Sequence, residues 1–280
     1  MSIAGRAHSS QTNGRLSGNE PPSERSATRG VILLNLGTPD APHPREVRRY
    51  LAEFLSDPEV IRLPRRMRWM NPVLGGMIAR IRAKQSAHAY STIWTPDGSP
   101  LLVITNQQVA ALQQSMPRGW RVYAAMRYGN PSVASVLDQM IADGIEELTV
   151  IPMYPQYSGP TTGTAMDDLY RRLHKRGQRL SLTVRNAWHD DAGYIDAQAE
   201  LLRQFILERD LHPEDCVLLY SAHSMPESYI RDGDPYQRQI IESVEHVTER
   251  LGWPADRTAI AYQSKLGPVP WLSPITEDSL

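Results

Sequence analysis

Short, continuous apolar runs alternate along this chain with longer segments whose apolar residues recur at spacings of three and four. The first kind suits a strand buried on both faces, the second a helix with one buried side. Val31-Ile-Leu-Leu-Asn35 is the first run, ended by Gly37-Thr-Pro-Asp40, and Pro44 then opens a helix carrying Val47, Tyr50, Leu51, Phe54 and Leu55. Val122 to Met126 precedes a helix with Val133, Val136, Leu137, Met140 and Ile141. Leu148 to Met153 precedes one with Met166, Leu169, Tyr170 and Leu173, closed by Gly177, and Leu180 to Val184 precedes Ile195, Ala199, Leu202 and Phe205. Val217 to Tyr220 is the next strand. Asp234-Pro235 then reads as the cap and first residue of a helix with Ile240, Val244, Val247 and Leu251, stopped at Gly252, and Thr258 to Tyr262 is the last strand.

Apolar strands separated by helices imply parallel sheets covered on both faces, and there are too many for one compact unit. The pattern predicts an α/β protein of two domains, 29–177 and 178–280. The stretch Pro274-Ile-Thr-Glu-Asp-Ser-Leu280 reads as a cap and first helical turn, so the second domain is expected to be incomplete.

Composition narrows the function. With 280 residues, 41% of them hydrophobic, the chain can bury a sizeable core, and its net charge of -1 supplies no basic field for nucleic acid. A single cysteine, Cys216, excludes a disulfide framework and an iron-sulfur cluster, which points to a reducing, cytoplasmic setting. No apolar run approaches the ~18 residues of a membrane span. Residues 1–28 are rich in Ser, Gly, Arg, Asn and Pro and read as a disordered tail; the arginines suggest a transit peptide, but Glu20 and Glu24 argue against one.

In parallel α/β sheets, ligands bind beyond the carboxyl ends of the strands. Those positions hold Leu36-Gly-Thr-Pro39, Arg127-Tyr128, Tyr154-Pro-Gln-Tyr-Ser158 and Ser221-Ala-His-Ser224. The phosphate motifs GxGxxG and GxxxxGK[ST] are missing, as are a GxSxG elbow around Ser158 or Ser221 and an HExxH zinc helix. His223 therefore acts with few protein partners, or is a core histidine bonded to a backbone carbonyl.

Seven strings in order carry a resemblance: "LLNLGTPD" at 33–40, "IWTPDGSPL" at 93–101, "MRYGNP" at 126–131, "YPQYSGPTTGT" at 154–164, "SAHSMP" at 221–226, "GDPY" at 233–236 and "YQSKLGPVPWLSP" at 262–274. From about residue 30 onward the chain resembles ferrochelatases. The resemblance implies two Rossmann-like, three-layer domains flanking a porphyrin cleft, and insertion of Fe(II) into protoporphyrin or coproporphyrin at the last stage of heme synthesis. Fe(II) and the porphyrin are then substrates, with no cofactor required by the sequence.

The resemblance also places residues. His223 matches the histidine used at the ring centre, where a neutral imidazole can accept a pyrrole proton or present a lone pair to Fe(II). Leu36 matches a side chain against the opposite porphyrin face, and its chemistry excludes a metal-ligand role. Arg127 and Tyr128 match pocket positions, Arg127 as a partner for a propionate or as an ordinary ion pair. Tyr128, Tyr154 and Tyr157 can hydrogen-bond or pack on a macrocycle, or be core tyrosines with a satisfied hydroxyl. Ser158, Thr161 and Thr162 sit where backbone N–H groups hold an anion or merely cap a helix, and Trp271 lines the cleft or anchors a turn.

Arg62 to Lys84 contains seven basic residues and no acid, interleaved with Met67, Trp69, Met70, Val73, Leu74, Met77 and Ile78. The family places its cleft lip here, and such a surface suits an apolar substrate with carboxylate tails or an anionic membrane surface; a solvated helix with a core-facing stripe is the plain alternative. Ferrochelatases continue past "WLSP" into a helix, a strand and an acidic loop whose glutamate faces the histidine. The expectation is therefore that residues 1–280 alone are marginally stable and essentially inactive. A porphyrin-binding pseudoenzyme and a cobalt chelatase of the same fold stay open, and the sequence sets no oligomeric state.

Overall fold

The computed structural model describes residues 28–265 and 269–280. The tail expected at 1–28 lies outside the described residues except for its last position. In chain order the elements are β1 (Arg29–Thr38), α1 (Pro44–Leu55), α2 (Asn71–Ile93), α3 (Pro100–Ser115), β2 (Trp120–Gly129), α4 (Val133–Ala142), β3 (Glu147–Pro152), α5 (Thr164–Arg176), β4 (Ser181–Val184), α6 (Ala192–Glu208), β5 (Leu218–His223), α7 (Glu227–Arg231), α8 (Tyr236–Leu251) and β6 (Thr258–Gln263). The fold is α/β with parallel sheets, as the alternation of runs predicts.

β1 is central to a four-stranded sheet ordered β2-β1-β3-β4. Its side chains alternate between two cores. Ile32 and Leu34 pack with Leu137 and Met140 of α4 and Leu169 of α5, while Val31 and Leu33 pack with Val122 beneath Val109 and Leu112 of α3. Burial on both faces is why the run is continuously apolar. Leu137 is fully buried, and its truncation to alanine is worth about 2–5 kcal/mol.

Gly177 ends α5 in the left-handed conformation, φ 64°, as a helix-stopping glycine does. The division expected there falls inside this sheet, because β4 pairs with β3 in the register Leu148↔Leu182. Leu180, Leu182 and Val184 find their apolar cover on the first core, so the sheet runs to Val184.

In the second half β5 and β6 pair in parallel, and α6 and α8 pack together through Ile195, Ala199 and Val247. α8 begins at Tyr236, with Pro235 at the cap position rather than within the first turn; Asp234 still caps it, its Oδ1 accepting the Tyr236 N–H at 3.1 Å. Gly252 closes α8 with φ 75°. The C-terminal stretch expected as a helix start is a 3-10 turn at Thr276–Asp278. The Pro274 carbonyl accepts the Tyr262 N–H at 2.8 Å, and Ile275 bridges Tyr262, so this stretch lies beside β6.

α2 is packed the reverse of an ordinary surface helix. Gly75, Ala79, Ala83 and Ala87 form its buried face. A Cβ on Gly75 would come within 2.7 Å of the backbone of Leu55 and Ser56, so the small face lets α2 lie close to the end of α1. The large apolar residues are left outside: Val73 is 68% exposed and Ile81 74%, as is Trp69 at 74% in the 3-10 turn before the helix. Among the described residues no helix is long and apolar enough to cross a membrane.

Candidate functional site

The carboxyl ends of β1, β2 and β3 come together by register. Gly37 of β1 lies opposite Tyr128 of β2, and the Met153 N–H beyond β3 donates to the Leu34 carbonyl at 2.8 Å. The approach at Gly37 admits only glycine, because its φ is 110° and a Cβ would sit 1.8 Å from the Tyr128 carbonyl oxygen. This contact fixes the neighbouring Leu36, half-buried at the strand end.

Arg127 and Tyr128 are engaged by a residue that the motifs did not single out. Asp57, just past α1, accepts from Arg127 Nη2 at 2.5 Å, from the Tyr128 hydroxyl at 2.9 Å, from the Thr164 hydroxyl, and from the Glu59 N–H at 2.8 Å. Arg127 Nε also donates to the Thr164 hydroxyl and carbonyl at 3.0 and 3.1 Å. The pair is largely dry, with side chains 11% and 5% exposed. Burial alone would raise the Asp57 pKa; the Thr164 and Glu59 donors, the Arg127 charge and the Tyr128 hydroxyl outweigh it and hold the carboxyl below its ordinary range. Burial pushes the Tyr128 phenol up, against the pull of Arg127, so it stays a neutral donor. In this structure the guanidinium expected to meet a propionate is thus bonded within the protein.

The turn after β3 is likewise occupied. The Ser158 carbonyl accepts from the N–H groups of Thr161 and Gly163 and from the Thr161 hydroxyl, closing the π-turn Gly159–Gly163. The free end of that turn holds an anion from within the chain. Asp234 Oδ2 accepts the Gly159 N–H at 2.8 Å and the Ser158 hydroxyl at 3.0 Å. Tyr157 joins the same junction through its N–H, which donates to Gln239 Oε1 at 2.6 Å. A cavity of about 280 Å³ opens here, lined by Glu59, Arg62, Tyr157, Asp167, Asp232 and Asp234 among others. Its carboxylates and small size do not suit a flat apolar ring.

His223 ends β5, its neighbour Ser224 donating its N–H to the Gln263 carbonyl at 2.7 Å. The side chain is open to solvent on one side, yet enough protein surrounds the ring to lower its pKa below the ordinary value by desolvation alone. Among the described residues no charged group or side-chain hydrogen bond contributes to that shift. The core-histidine alternative does not describe it, since the imidazole is neither buried nor bonded to a carbonyl among the described residues. Trp271 is brought to the same loop by a bridge to Pro226, and its indole N–H is buried without a partner among the described residues, as is the Tyr154 hydroxyl.

Asp57, Thr164, Asp234 and Tyr236 are the residues that motif reading passed over as parts of the site. Two of them, Asp234 and Tyr236, stand in "GDPY", a string that also reads as a helix cap; Asp57 carries no local signal.

A double-faced parallel sheet with polar residues gathered at its strand ends, and a solvent-open histidine ending a strand of the second sheet, defines an α/β protein of the chelatase type. The sequence model of one family, described as Ferrochelatase, matches residues 28–280. The ferrochelatase of a Polaromonas species is 42% identical over 93% of this chain and 70% of its own length. Ferrochelatase 2 of Shewanella oneidensis is 43% identical over 90% and 76%, and the ferrochelatase of Thioalkalivibrio sulfidiphilus 40% identical over 89% and 67%. The chain belongs to the ferrochelatase family, whose members are enzymes of the lyase type.

Proposed function

We propose that the protein inserts Fe(II) into a porphyrin, protoporphyrin or coproporphyrin, with His223 at the reacting centre. The observation that carries this is the state of His223: a strand-end imidazole, open to solvent, bonded to no protein group among the described residues, and kept neutral by desolvation. Metallation requires two pyrrole protons to leave as Fe(II) exchanges water for ring nitrogens. A neutral imidazole supplies an acceptor for a proton or a lone pair for the arriving metal. Leu36, half-buried at the end of β1, offers an apolar contact. Arg127 and Tyr128 support the strand ends through Asp57, while Tyr157, Ser158 and Thr161 hold the turn beside α8.

The outward face of α2 and its preceding turn suits delivery of an apolar substrate. Trp69, Val73, Met77 and Ile81 are exposed among Arg65, Arg66, Arg68, Arg80, Arg82 and Lys84, also exposed. Such a surface binds anionic lipid peripherally, each basic residue adding roughly 1 kcal/mol. The direct test of the reaction is the absorbance change when the protein, joined to a family-type C-terminal segment, is mixed anaerobically with Fe(II) and each porphyrin in turn. Metalloporphyrin formed faster than in protein-free buffer supports the proposal. Tight porphyrin binding with no metallation points to a binding protein, and a preference for Co(II) to another chelatase.

A further inference from the structure

The turn after β3, the start of α8 and the backbone of His223 are joined by one chain of hydrogen bonds. Asp234 is its hub. Oδ2 takes the Ser158 hydroxyl and the Gly159 N–H, at 3.0 and 2.8 Å, from the first half of the molecule. Oδ1 takes the Tyr236 N–H at 3.1 Å and so fixes the first residue of α8. The Tyr236 hydroxyl then donates to the His223 carbonyl at 3.1 Å. Tyr236 also packs in the small core formed by Met225, Tyr229, Tyr262 and Leu272, so its ring is not free to swing.

Nearby contacts keep the hub in place. The Asp234 N–H donates to the Tyr229 carbonyl at 3.0 Å, and the Tyr229 hydroxyl donates to the Glu59 carbonyl at 3.0 Å. Arg62 lies 3.7 Å over the Tyr229 ring and pairs with Glu59 and, at 3.7 Å, Asp232. The segment at the foot of the basic lip is therefore tied to the same loop.

We propose that Asp234 and Tyr236 are positioning residues for His223, the hydroxyl of Tyr236 holding the histidine's backbone at a place set by the first half through Asp234. This rests on the reading of His223 as the reacting group, and it deepens that reading. His223 ends its strand, and among the described residues its ring gains no orientation from a side-chain hydrogen bond. Its aim is then decided by its backbone, and among the described residues Tyr236 is the side chain that bonds that backbone from another element. The carboxylate in the turn has a definite purpose in this view. It replaces an external anion and makes the histidine's position depend on the turn after β3.

The test uses protein labelled with ¹³C-histidine, with the His223 ring signal assigned by its loss in His223→Ala. At one fixed pH, Tyr236→Phe is expected to move or broaden that signal by more than its line width, leaving the other histidine signals and the melting temperature in place. Asp234→Asn retains one acceptor for three donors and is expected to act in the same direction. A His223 signal unchanged in both variants overturns the inference. Shifts spread over all the histidines overturn it as well, because they mark general loosening. Addition of protoporphyrin to the unaltered protein separates the two ideas. A His223 signal indifferent to porphyrin removes the reaction-centre reading, whereas the positioning link stands or falls on the Tyr236→Phe spectrum. In the metallation assay, Tyr236→Phe is expected to lower kcat about tenfold with KM for porphyrin within about twofold.

Discussion

Replacing Asp57 by alanine probes the densest polar contact in the structure. The substitution leaves the Arg127 guanidinium, 11% exposed, without its counter-charge, and strips an acceptor from the Tyr128 and Thr164 hydroxyls and the Glu59 N–H. Breaking a buried pair by removing one partner costs about 3–5 kcal/mol. At about 2–4 °C per kcal/mol for a chain of this size class, the melting temperature falls by about 6–20 °C. The pH dependence follows from the direction of the Asp57 shift. Its folded pKa is lowered, so its stabilisation is fully present above the unfolded value of ~4 and is lost as pH falls through the lower folded value. Thermal unfolding of the original protein and Asp57→Ala is measured from pH 7 downward. The gap is expected to stay constant to about pH 4 and to close below it. Adding Arg127→Ala to Asp57→Ala is expected to cost less than the sum of the two. A gap under about 1 kcal/mol at pH 7, or one that closes between pH 7 and 5, would refute the reasoning.

Gly37→Ala forces a Cβ to 1.8 Å from the Tyr128 carbonyl, so a large loss of folded, soluble protein is expected in an expression and melting comparison; a near-normal melting temperature contradicts the strand-end packing. Trp69→Glu with Ile81→Glu is expected to weaken sedimentation with anionic vesicles without changing the melting temperature, since both side chains point outward. Because desolvation lowers the His223 pKa, the acidic limb of the metallation rate is expected below the ordinary imidazole value of ~6.5. A rate that already falls on acidification from pH 8 to 7 would mean that another group titrates in the reaction.

Strands and the helices α1, α4, α5, α6 and α8 were legible because each buries a simple repeat of apolar residues. Gly177 and Gly252 were legible as helix stops because the left-handed cap favours glycine. The sheet membership of β4 was not, since Leu182 and Val184 would satisfy either core and only pairing decides. α2 misleads for a physical reason: its buried face is Gly75, Ala79, Ala83 and Ala87, so the large apolar residues that normally mark the inside mark the outside. α3 opens with Leu101-Leu-Val-Ile104, a run without helical spacing, and escapes the pattern. At the site, His223 was legible from its place after an apolar strand. Asp57 was not, because its partners Arg127 and Thr164 are 70 and 107 residues away.

The central claim concerns one imidazole, and anaerobic Fe(II) insertion into protoporphyrin by the original protein and by His223→Ala measures it most directly. Because the resemblance implies an acidic partner beyond the "WLSP" motif, each is assayed alone and joined to a family-type C-terminal segment, with porphyrin binding followed by fluorescence in parallel. The account predicts turnover by the extended protein, its loss in extended His223→Ala, and porphyrin binding by both. Near-normal metallation by extended His223→Ala would contradict it.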